Sequence, residues 1–260
     1  HKRWIMIAGE GTVFLVLLIS GFIQTRKTFK KEAELSRRQK NFLLSVTHEL
    51  KSPIASAKLQ LETLLKRDLS KEKQQEILRN ALSDTERLNA LVENVLIATR
   101  LEDSNFKLHK QRINLSNFLR TELQRISTMY QIEKKHELQL NLNDNIHGNI
   151  DTFAFVSVLS NLYENAIKYS SSDLQINVDL KQNENGIEII FCDNGIGIAE
   201  NEKEKVFDKF YRVGSEETRK HKGTGLGLYI VKQLVQNHNG SIKVLKNSPK
   251  GSIFTISLFA

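Results

Sequence analysis

The chain has 260 residues and a mass of 29.8 kDa, which at about 100 to 200 residues per domain predicts two folded units. Its 26% charged and 40% hydrophobic residues exclude a wholly disordered or collagen-like chain, and the single cysteine, Cys192, excludes an internal disulfide and a zinc site made of cysteines. The net charge of +8 does not indicate nucleic-acid binding, because much of the excess lies in residues 24–40, with seven basic and two acidic residues.

Residues 4–23 form the most apolar stretch of the chain and contain one charge, Glu10. A helix of this length spans roughly 30 Å, the thickness of the hydrocarbon core of a bilayer. Basic residues are far more frequent after the stretch than before it, which predicts that the rest of the chain is cytoplasmic. A signal peptide is disfavoured because no small-x-small cleavage site follows, and a buried helix of a soluble protein is the other alternative. We predict a transmembrane helix in contact with membrane lipid, and because the chain opens with His1 we expect an upstream segment.

Two later segments repeat apolar residues at steps of three and four, from Leu43 to Leu64 and from Ile77 to Ala98. This spacing is typical of helices with one apolar side. The polar residues 67–73 between them predict a turn. A hairpin of two such helices cannot bury its apolar sides alone, so we expect two copies to pair as a four-helix bundle. The sequence therefore predicts a homodimer.

Beyond residue 102 the pattern changes to shorter pieces. The apolar periodicity predicts helices near residues 115–130, 151–169 and 226–238, and strands near residues 137–142, 174–180, 187–192, 241–245 and 252–259. Helices mixed with hairpin strands indicate an α+β sandwich, in which helices cover one face of a sheet.

His48 lies one position off the apolar side of the first helix, which predicts an imidazole that faces outward. An exposed histidine is usually only solvated, so its position alone does not indicate a nucleophile. Glu49 follows directly and could act as a base or orient the ring, and Pro53 could kink the helix five residues on. His48 is therefore a candidate nucleophile, and evidence for this role has to come from the rest of the chain.

Two glycine-containing stretches are candidates for ligand binding. Residues 193–198 read D-N-G-I-G-I after a predicted strand, where the carboxylate of Asp193 can accept a hydrogen bond from an exocyclic amine and the glycines allow close approach of the backbone. Residues 223–228 read G-T-G-L-G-L and open a predicted helix, whose free N–H groups suit a phosphate. For residues 223–228, a flexible hinge and tight packing are the alternatives.

The predicted helix over residues 151–169 carries Asn161 and Asn165 four residues apart and Lys168 one turn later. Two amides and an ammonium therefore share one face. Amide oxygens suit Mg²⁺, and lysine suits phosphate oxygens. Taken alone, these residues are more simply explained as an ordinary solvated helix face.

The chain resembles the sensor histidine kinases of bacterial two-component systems in five segments, which stand in the order and at the spacing of that family. They are F-L-L-S-V-T-H-E-L-K-S-P-I, N-L-Y-E-N-A-I-K-Y-S, D-N-G-I-G-I, V-F-D-K-F-Y-R and G-T-G-L-G-L, and the resemblance covers residues 36–260. It implies a multi-domain chain in which an all-α dimerisation and phosphotransfer hairpin precedes an ATP-binding domain of the Bergerat type. The expected parts are a transmembrane helix (1–23), a juxtamembrane signalling helix (24–40), the hairpin (41–101), a linker (102–114) and the catalytic domain (115–260).

The resemblance also implies roles for single residues. His48 would accept the γ-phosphoryl group of ATP, with Glu49 as base or ring orienter, and Ser52 stands where the family often has threonine or asparagine to orient a hydrolytic water. Asn165 would bind Mg²⁺, and Asp193 would bind the adenine amine. The other residues implied to surround ATP are Asn161, Lys168, Tyr169, Gly195, Gly197, Ile198, Phe207, Phe210, Arg212, Gly223, Thr224, Gly225, Leu226 and Gly227, with residues 213–222 as a lid.

The implied function is that of an ATP-dependent protein-histidine kinase, anchored in the bacterial inner membrane with its catalytic part in the cytoplasm. Its cofactors would be ATP and Mg²⁺, and its partner a separate response regulator, which it would phosphorylate on an aspartate and could also dephosphorylate. A pseudokinase scaffold is disfavoured by the intact motifs, and an ATPase of the gyrase or chaperone type would lack the histidine hairpin. An enzyme used mainly as a phosphatase would carry the same motifs. Lys222 and Asn239 replace glycines that are common in the family.

Overall fold

A computed structural model describes residues 2–101, 103, 106–131, 136–170, 173–184, 186–213 and 223–259, with the side chains of residues 2–14, 16 and 131 outside this description. The chain divides into two units, residues 1–44 and residues 45–260. The predicted membrane segment, residues 4–23, is helical, but most of its side chains lie outside the described residues. Among the described residues, no helix combines the length and the apolar character needed to cross a membrane.

Two helices form the hairpin that the apolar spacing predicts. Helix α1 runs over Lys2–Lys66 and helix α2 over Lys71–Arg100, and the predicted turn between them is confirmed as a break of four residues. Ser70 caps α2, because its side chain accepts a hydrogen bond of 3.4 Å from the amide of Lys73. The two helices are joined by a hydrogen bond of 3.2 Å from Gln60 Nε2 to Asp84 Oδ2.

Within the described part of the chain, seven strands form two sheets. They are β1 (Gln111–Asn114), β2 (His136–Leu142), β3 (His147–Ile150), β4 (Leu174–Asn183), β5 (Gly186–Asp193), β6 (Gly240–Lys246) and β7 (Ser252–Leu258). The larger sheet has the order β2-β4-β5-β7-β6, in which β2 and β4 are parallel and the other pairs antiparallel. The smaller sheet pairs β1 with β3.

Three helices pack against the larger sheet: α3 (Leu115–Gln131), α4 (Thr152–Lys168) and α5 (Gly227–Asn237). The sheet has one apolar face because its strands alternate, as in β4, where Leu174, Ile176, Val178 and Leu180 are buried. Each such side chain stabilises the fold by about 1.5 to 3 kcal/mol relative to exposure. This layered arrangement confirms the predicted α+β sandwich, and every helix and strand predicted beyond residue 102 is present within one to three residues.

Candidate functional site

Asp193 ends β5, and its side chain is 6% exposed. Its Oδ1 accepts hydrogen bonds from the amides of Gly195, at 2.8 Å, and Ser252, at 3.2 Å. Burial raises the pKa of the Asp193 carboxyl, and these two backbone donors partly offset that rise. The carboxylate is thus held rigidly by the main chain at the end of a central strand.

The backbone around Asp193 is packed too closely for side chains at two glycines. A β-carbon on Gly251 would lie 1.9 Å from Asp193 O, and Gly251 has a φ of +116°, which side chains disfavour. A β-carbon on Gly195 would lie 2.8 Å from Tyr169 O. Asn247 Nδ2 donates a further hydrogen bond of 2.8 Å to Asp193 O. These contacts fix a narrow turn beside the buried carboxylate.

The same turn continues through the other residues predicted in this motif. The amide of Ile196 donates a hydrogen bond of 3.0 Å to Tyr169 O, which ties the turn to the end of α4. Gly197 has a φ of +77°, and a β-carbon there would lie 2.9 Å from Gly251 O. Ile198 is half-buried. The predicted residues Tyr169, Gly195, Gly197 and Ile198 are therefore brought together with Asp193.

The C-terminal turn of α4 carries Asn165 and Lys168. A β-carbon on Gly223 would lie 2.2 Å from Lys168 Nζ, so the ammonium lies directly against the first glycine of the G-T-G-L-G-L stretch. Burial lowers the pKa of Lys168, whereas the nearby Glu164 and Glu49 raise it. Asn165 is half-buried one turn earlier on the same helix. The ammonium and the glycine stretch thus form the cation and backbone parts of a phosphate-binding arrangement.

Asn161, the first amide of this helix, has a different neighbourhood. Its side chain is 4% exposed, and its Nδ2 donates hydrogen bonds to Ser157 O at 2.9 Å and to Asn94 Oδ1, on α2, at 3.1 Å. Its Oδ1 lies close to Gly227, where a β-carbon would be 2.7 Å away. Asn161 therefore links the start of α5 to the helical hairpin.

The segment V-F-D-K-F-Y-R leads into the glycine stretch. Phe207 is buried, and the amide of Phe210 donates a hydrogen bond of 3.1 Å to Gly225 O. Lys209 Nζ lies 4.8 Å from the centre of the Phe210 ring. Arg212 Nη1 donates a hydrogen bond of 3.2 Å to Ser45 Oγ on α1. This segment therefore contacts both the glycine stretch and the hairpin.

The glycine stretch precedes α5, which begins at Gly227. The amide of Leu226 donates to Thr224 Oγ1 at 3.3 Å, and Leu226 is buried against the core. The first turn of α5 therefore follows directly after Gly223 and Gly225, and its free amides suit an anion at this helix N-terminus. Of the predicted lid, residues 214–222 lie outside the described residues.

On the hairpin, His48 and Ser52 are exposed on α1, as the spacing predicts for His48. Glu49 is only 13% exposed and pairs with Arg87 of α2 at 4.0 Å. Ser45 precedes His48 by one helical turn and receives the hydrogen bond from Arg212. The predicted nucleophile thus lies on the helix that Arg212 of the α+β domain contacts.

Four residues near the site were not predicted from the sequence: Asn247 and Ser252 beside Asp193, and Ser45 and Asn94 on the hairpin. The composition of residues 247–252, N-S-P-K-G-S, signals a turn but not its position beside Asp193. Ser45 and Asn94 give no such signal. Their partners lie far away in the sequence, Asn94 bonding to a residue 67 positions later and Ser45 to one 167 positions later.

Neither a nucleotide nor a metal is part of the described chain, but the donor groups fit both. Asp193 offers a fixed carboxylate acceptor for an amine of a base, and Lys168 beside Gly223 offers a cation for phosphates. Among the residues that the structure describes, no three His, Cys, Asp or Glu side chains cluster as metal ligands. A cation at Asn165 would therefore take most of its oxygen ligands from phosphates and water, which is the usual pattern for Mg²⁺.

Two family models match the chain. Residues 38–104 match the His Kinase A (phospho-acceptor) domain, and residues 150–260 match the histidine kinase-, DNA gyrase B-, and HSP90-like ATPase. The first match includes α2 and the part of α1 that carries His48, and the second includes α4, α5 and the turn at Asp193.

Relatives extend the similarity over nearly the whole chain. The sensor protein CiaH of Streptococcus pneumoniae is 28% identical over 99% of this chain and 57% of its own length. The sensor protein kinase WalK of Staphylococcus aureus is 31% identical over 92% of this chain and 58% of its own length. The chain thus spans about half the length of the curated relatives it matches. The solved structure of the Acinetobacter baumannii histidine kinase AdeS, 22% identical, has the same fold, with a TM-score of 0.57 over 82% of this chain and 97% of that one.

Proposed function

The chain belongs to the sensor histidine kinases of two-component systems, and on this premise we propose that it transfers the γ-phosphoryl group of ATP to His48 and then to an aspartate of a separate response regulator. The position of Lys168 carries this proposal. Its ammonium lies against Gly223 of the glycine stretch, and the carboxylate of Glu49, the neighbour of His48, raises its pKa.

In this proposal the adenine amine donates a hydrogen bond to Asp193, which the main chain already holds in place. The phosphates bind the amides at the start of α5 and the cations of Lys168 and Arg212. Asn165 would hold Mg²⁺, which when bound would neutralise charge on the phosphates. The pocket around these groups is shaped by other residues implied to surround ATP, which include Ile198, Phe207, Phe210, Thr224 and Leu226.

His48 attacks as a neutral imidazole. Glu49 accepts a hydrogen bond from Nδ1–H, which leaves the lone pair of Nε2 free for the γ-phosphorus. The exposed position of His48 on α1 gives the response regulator access to the phosphorylated ring. Ser52, four residues later on the same side of the helix, would orient water when the regulator is dephosphorylated.

We further infer that the chain works as a homodimer attached to a membrane. The apolar side of the hairpin supports the dimer, because Ile54 and Leu61 remain 52% and 49% exposed in the single chain. The composition of residues 4–23, with basic residues concentrated after them, supports a membrane-spanning segment with the catalytic part in the cytoplasm.

The experiment is incubation of the chain with γ-labelled ATP and Mg²⁺, followed by measurement of acid-labile, base-stable label on the protein. We expect label on the wild type and none on His48→Gln. The matched control is His147→Gln, which changes an exposed histidine of β3 and should keep the label. A folded wild type that binds ATP and takes no label contradicts the proposal.

A further inference from the structure

We propose that Ser45 and Asn94 are positioning residues that hold the ATP-binding domain on its own hairpin, so that His48 receives the phosphoryl group from ATP bound to the same chain. This inference rests on the proposed kinase function and specifies the geometry of its first step. Two side-chain hydrogen bonds carry it, and both join the hairpin to residues of the candidate nucleotide site.

The first contact is made by Arg212, which lies between the phenylalanine segment and the glycine stretch. Its Nη1 donates to Ser45 Oγ at 3.2 Å. Ser45 and His48 are three residues apart on α1, so their side chains lie on the same face of the helix, one turn apart. A cation suited to the γ-phosphate is therefore anchored one turn from the nucleophile of the same chain.

The second contact is made by Asn161, which is almost fully buried. Its amide donates both to Ser157 O within α4 and to Asn94 Oδ1 on α2, at 2.9 and 3.1 Å. The oxygen of the same amide lies against Gly227, the first residue of α5. Asn94 therefore fixes the hairpin to the point where α4 meets the phosphate-binding end of α5.

The charges of Lys168 and Glu49 also attract each other, which is consistent with these two hydrogen bonds. The Glu49 carboxylate raises the pKa of the Lys168 ammonium, and Glu49 also pairs with Arg87 at 4.0 Å. Glu164 acts on Lys168 in the same direction, whereas Arg212 and Arg87 lower its pKa. Negative charge on a bound γ-phosphate would complement Lys168, Arg212 and Arg87 together. The residue that follows His48 thus pairs with Arg87 and attracts Lys168 of the candidate phosphate site.

The step that this geometry serves is a direct transfer. The Nε2 lone pair of His48 forms a bond to the γ-phosphorus while the bond from that phosphorus to the β,γ-bridging oxygen breaks, and ADP leaves with the electron pair. The ring becomes cationic as the P–N bond forms, and its Nδ1 proton passes to Glu49. Ser45 and Asn94 take no part in this chemistry. They hold the domain that carries the nucleotide.

A mixing experiment tests transfer within one chain. His48→Gln chains, which keep the nucleotide site, are co-expressed with Asp193→Asn chains, which keep His48, and mixed dimers are isolated through two affinity tags. Transfer within a chain predicts no label on the mixed dimers, whereas wild-type dimers carrying the same tags are labelled. Label on the Asp193→Asn chain of the mixed dimers, at an ATP concentration that leaves Asp193→Asn homodimers unlabelled, overturns the inference and leaves the kinase function intact. An unlabelled wild type would contradict the proposed function itself.

Substitution of the two positioning residues tests their role. Ser45→Ala and Asn94→Ala should each lower the maximal rate of autophosphorylation about 10-fold while the Kd for ATP changes less than about 2-fold, because each removes one hydrogen bond of the docked state. Ser45→Thr and Asn94→Asp keep an acceptor and should restore most of the rate. The matched controls are Ser36→Ala and Asn89→Ala, at exposed positions of α1 and α2.

Two results would overturn the role of Ser45 and Asn94. An unchanged rate in both alanine variants would mean that the contacts do not position the domain. A higher rate together with tighter ATP binding would mean that the contacts hold the domain in an inactive state. Thermal denaturation of each variant, expected within a few degrees of the wild type, confirms that the fold is intact.

Discussion

The amide of Gly195 donates a hydrogen bond of 2.8 Å to Asp193 Oδ1, two residues before it, and the amide of Ser252 donates to the same oxygen. The carboxylate is therefore oriented before any ligand arrives. A group that is already fixed loses little conformational freedom when it binds. The direction of the Asp193 side chain is set by the backbone of two separate segments, which explains why it can act as a specific acceptor.

We predict that Asp193→Asn lowers the affinity for ATP by at least about 10-fold, because the variant loses a charged acceptor for the adenine amine. The amide oxygen of asparagine can still accept from Gly195 and Ser252, so the fold should persist. Fluorescent ATP titration measures the affinity, and circular dichroism checks the fold. Unchanged affinity in a folded variant would show that the base binds elsewhere.

The close contact at Gly251 leads to a prediction about stability. A β-carbon there would lie 1.9 Å from Asp193 O, at a φ of +116°. Gly251→Ala should lower the free energy of unfolding by about 2 kcal/mol or more, since both the backbone and the contact are strained. Urea denaturation measures this change. The matched control is Gly148→Ala, where the nearest atoms are 3.4 Å from the added carbon and the loss should be smaller. Equal midpoints for the two variants would contradict the prediction.

The buried imidazole of His238 predicts a pH dependence of stability. Its Nδ1 donates to Leu234 O at 2.7 Å and its Nε2 accepts from the amide of Asp151 at 3.0 Å, an arrangement that requires the neutral ring. Burial lowers the pKa of His238, with Lys110 acting in the same direction and the Leu234 carbonyl and Asp151 opposing them.

Because the folded-state pKa of His238 is lowered, the unfolded chain binds the proton more readily. The contribution of neutral His238 to the free energy of unfolding is therefore complete above the ordinary histidine pKa of about 6.5, and it is lost as the pH falls below that value. His238→Asn should lower stability at pH 8, and its difference from the wild type should shrink as the pH is lowered toward 5. Urea midpoints at several pH values measure this. A difference that stays constant with pH would exclude His238 as the titrating group.

The exposed apolar side of the hairpin predicts the effect of a charge on dimerisation. Leu61→Glu should raise the dissociation constant of the dimer by about 100-fold or more, because pairing would bury an unpaired carboxylate. Leu59→Glu is the matched control, since Leu59 is 65% exposed and lies off the predicted seam. Sedimentation equilibrium measures both. Equal weakening by the two variants would place the interface on a different side of the hairpin.

The apolar pattern predicted the elements of the ATP-binding domain closely where they are long and alternate regularly. Strand β5 was expected near residues 187–192 and is found at Gly186–Asp193, and α4 was expected near residues 151–169 and is found at Thr152–Lys168. Strands β1 and β3 were not predicted, because four residues are too few for a periodic signal. Each becomes a strand only through the other, across more than thirty residues of chain.

For the site, the sequence predicted which residues lie on which element better than it predicted which side chains contact each other. The spacing of Asn161, Asn165 and Lys168 correctly places them on α4, but no periodicity shows that Asn161 bonds to Asn94 on another helix. The same holds for Ser45 and Arg212. Such contacts depend on how the helices pack, which a single sequence does not encode in any local pattern.

The turn at Asp193 has a consequence for drug resistance. The acceptor is oriented by main-chain amides, and the glycines around it have no room for larger residues. An inhibitor that paired with this carboxylate and lay flat on Gly195 would contact atoms that substitution can hardly change without unfolding the protein. Substitutions that confer resistance to such a compound would have to occur at the edge of the binding site, where side chains are free to vary.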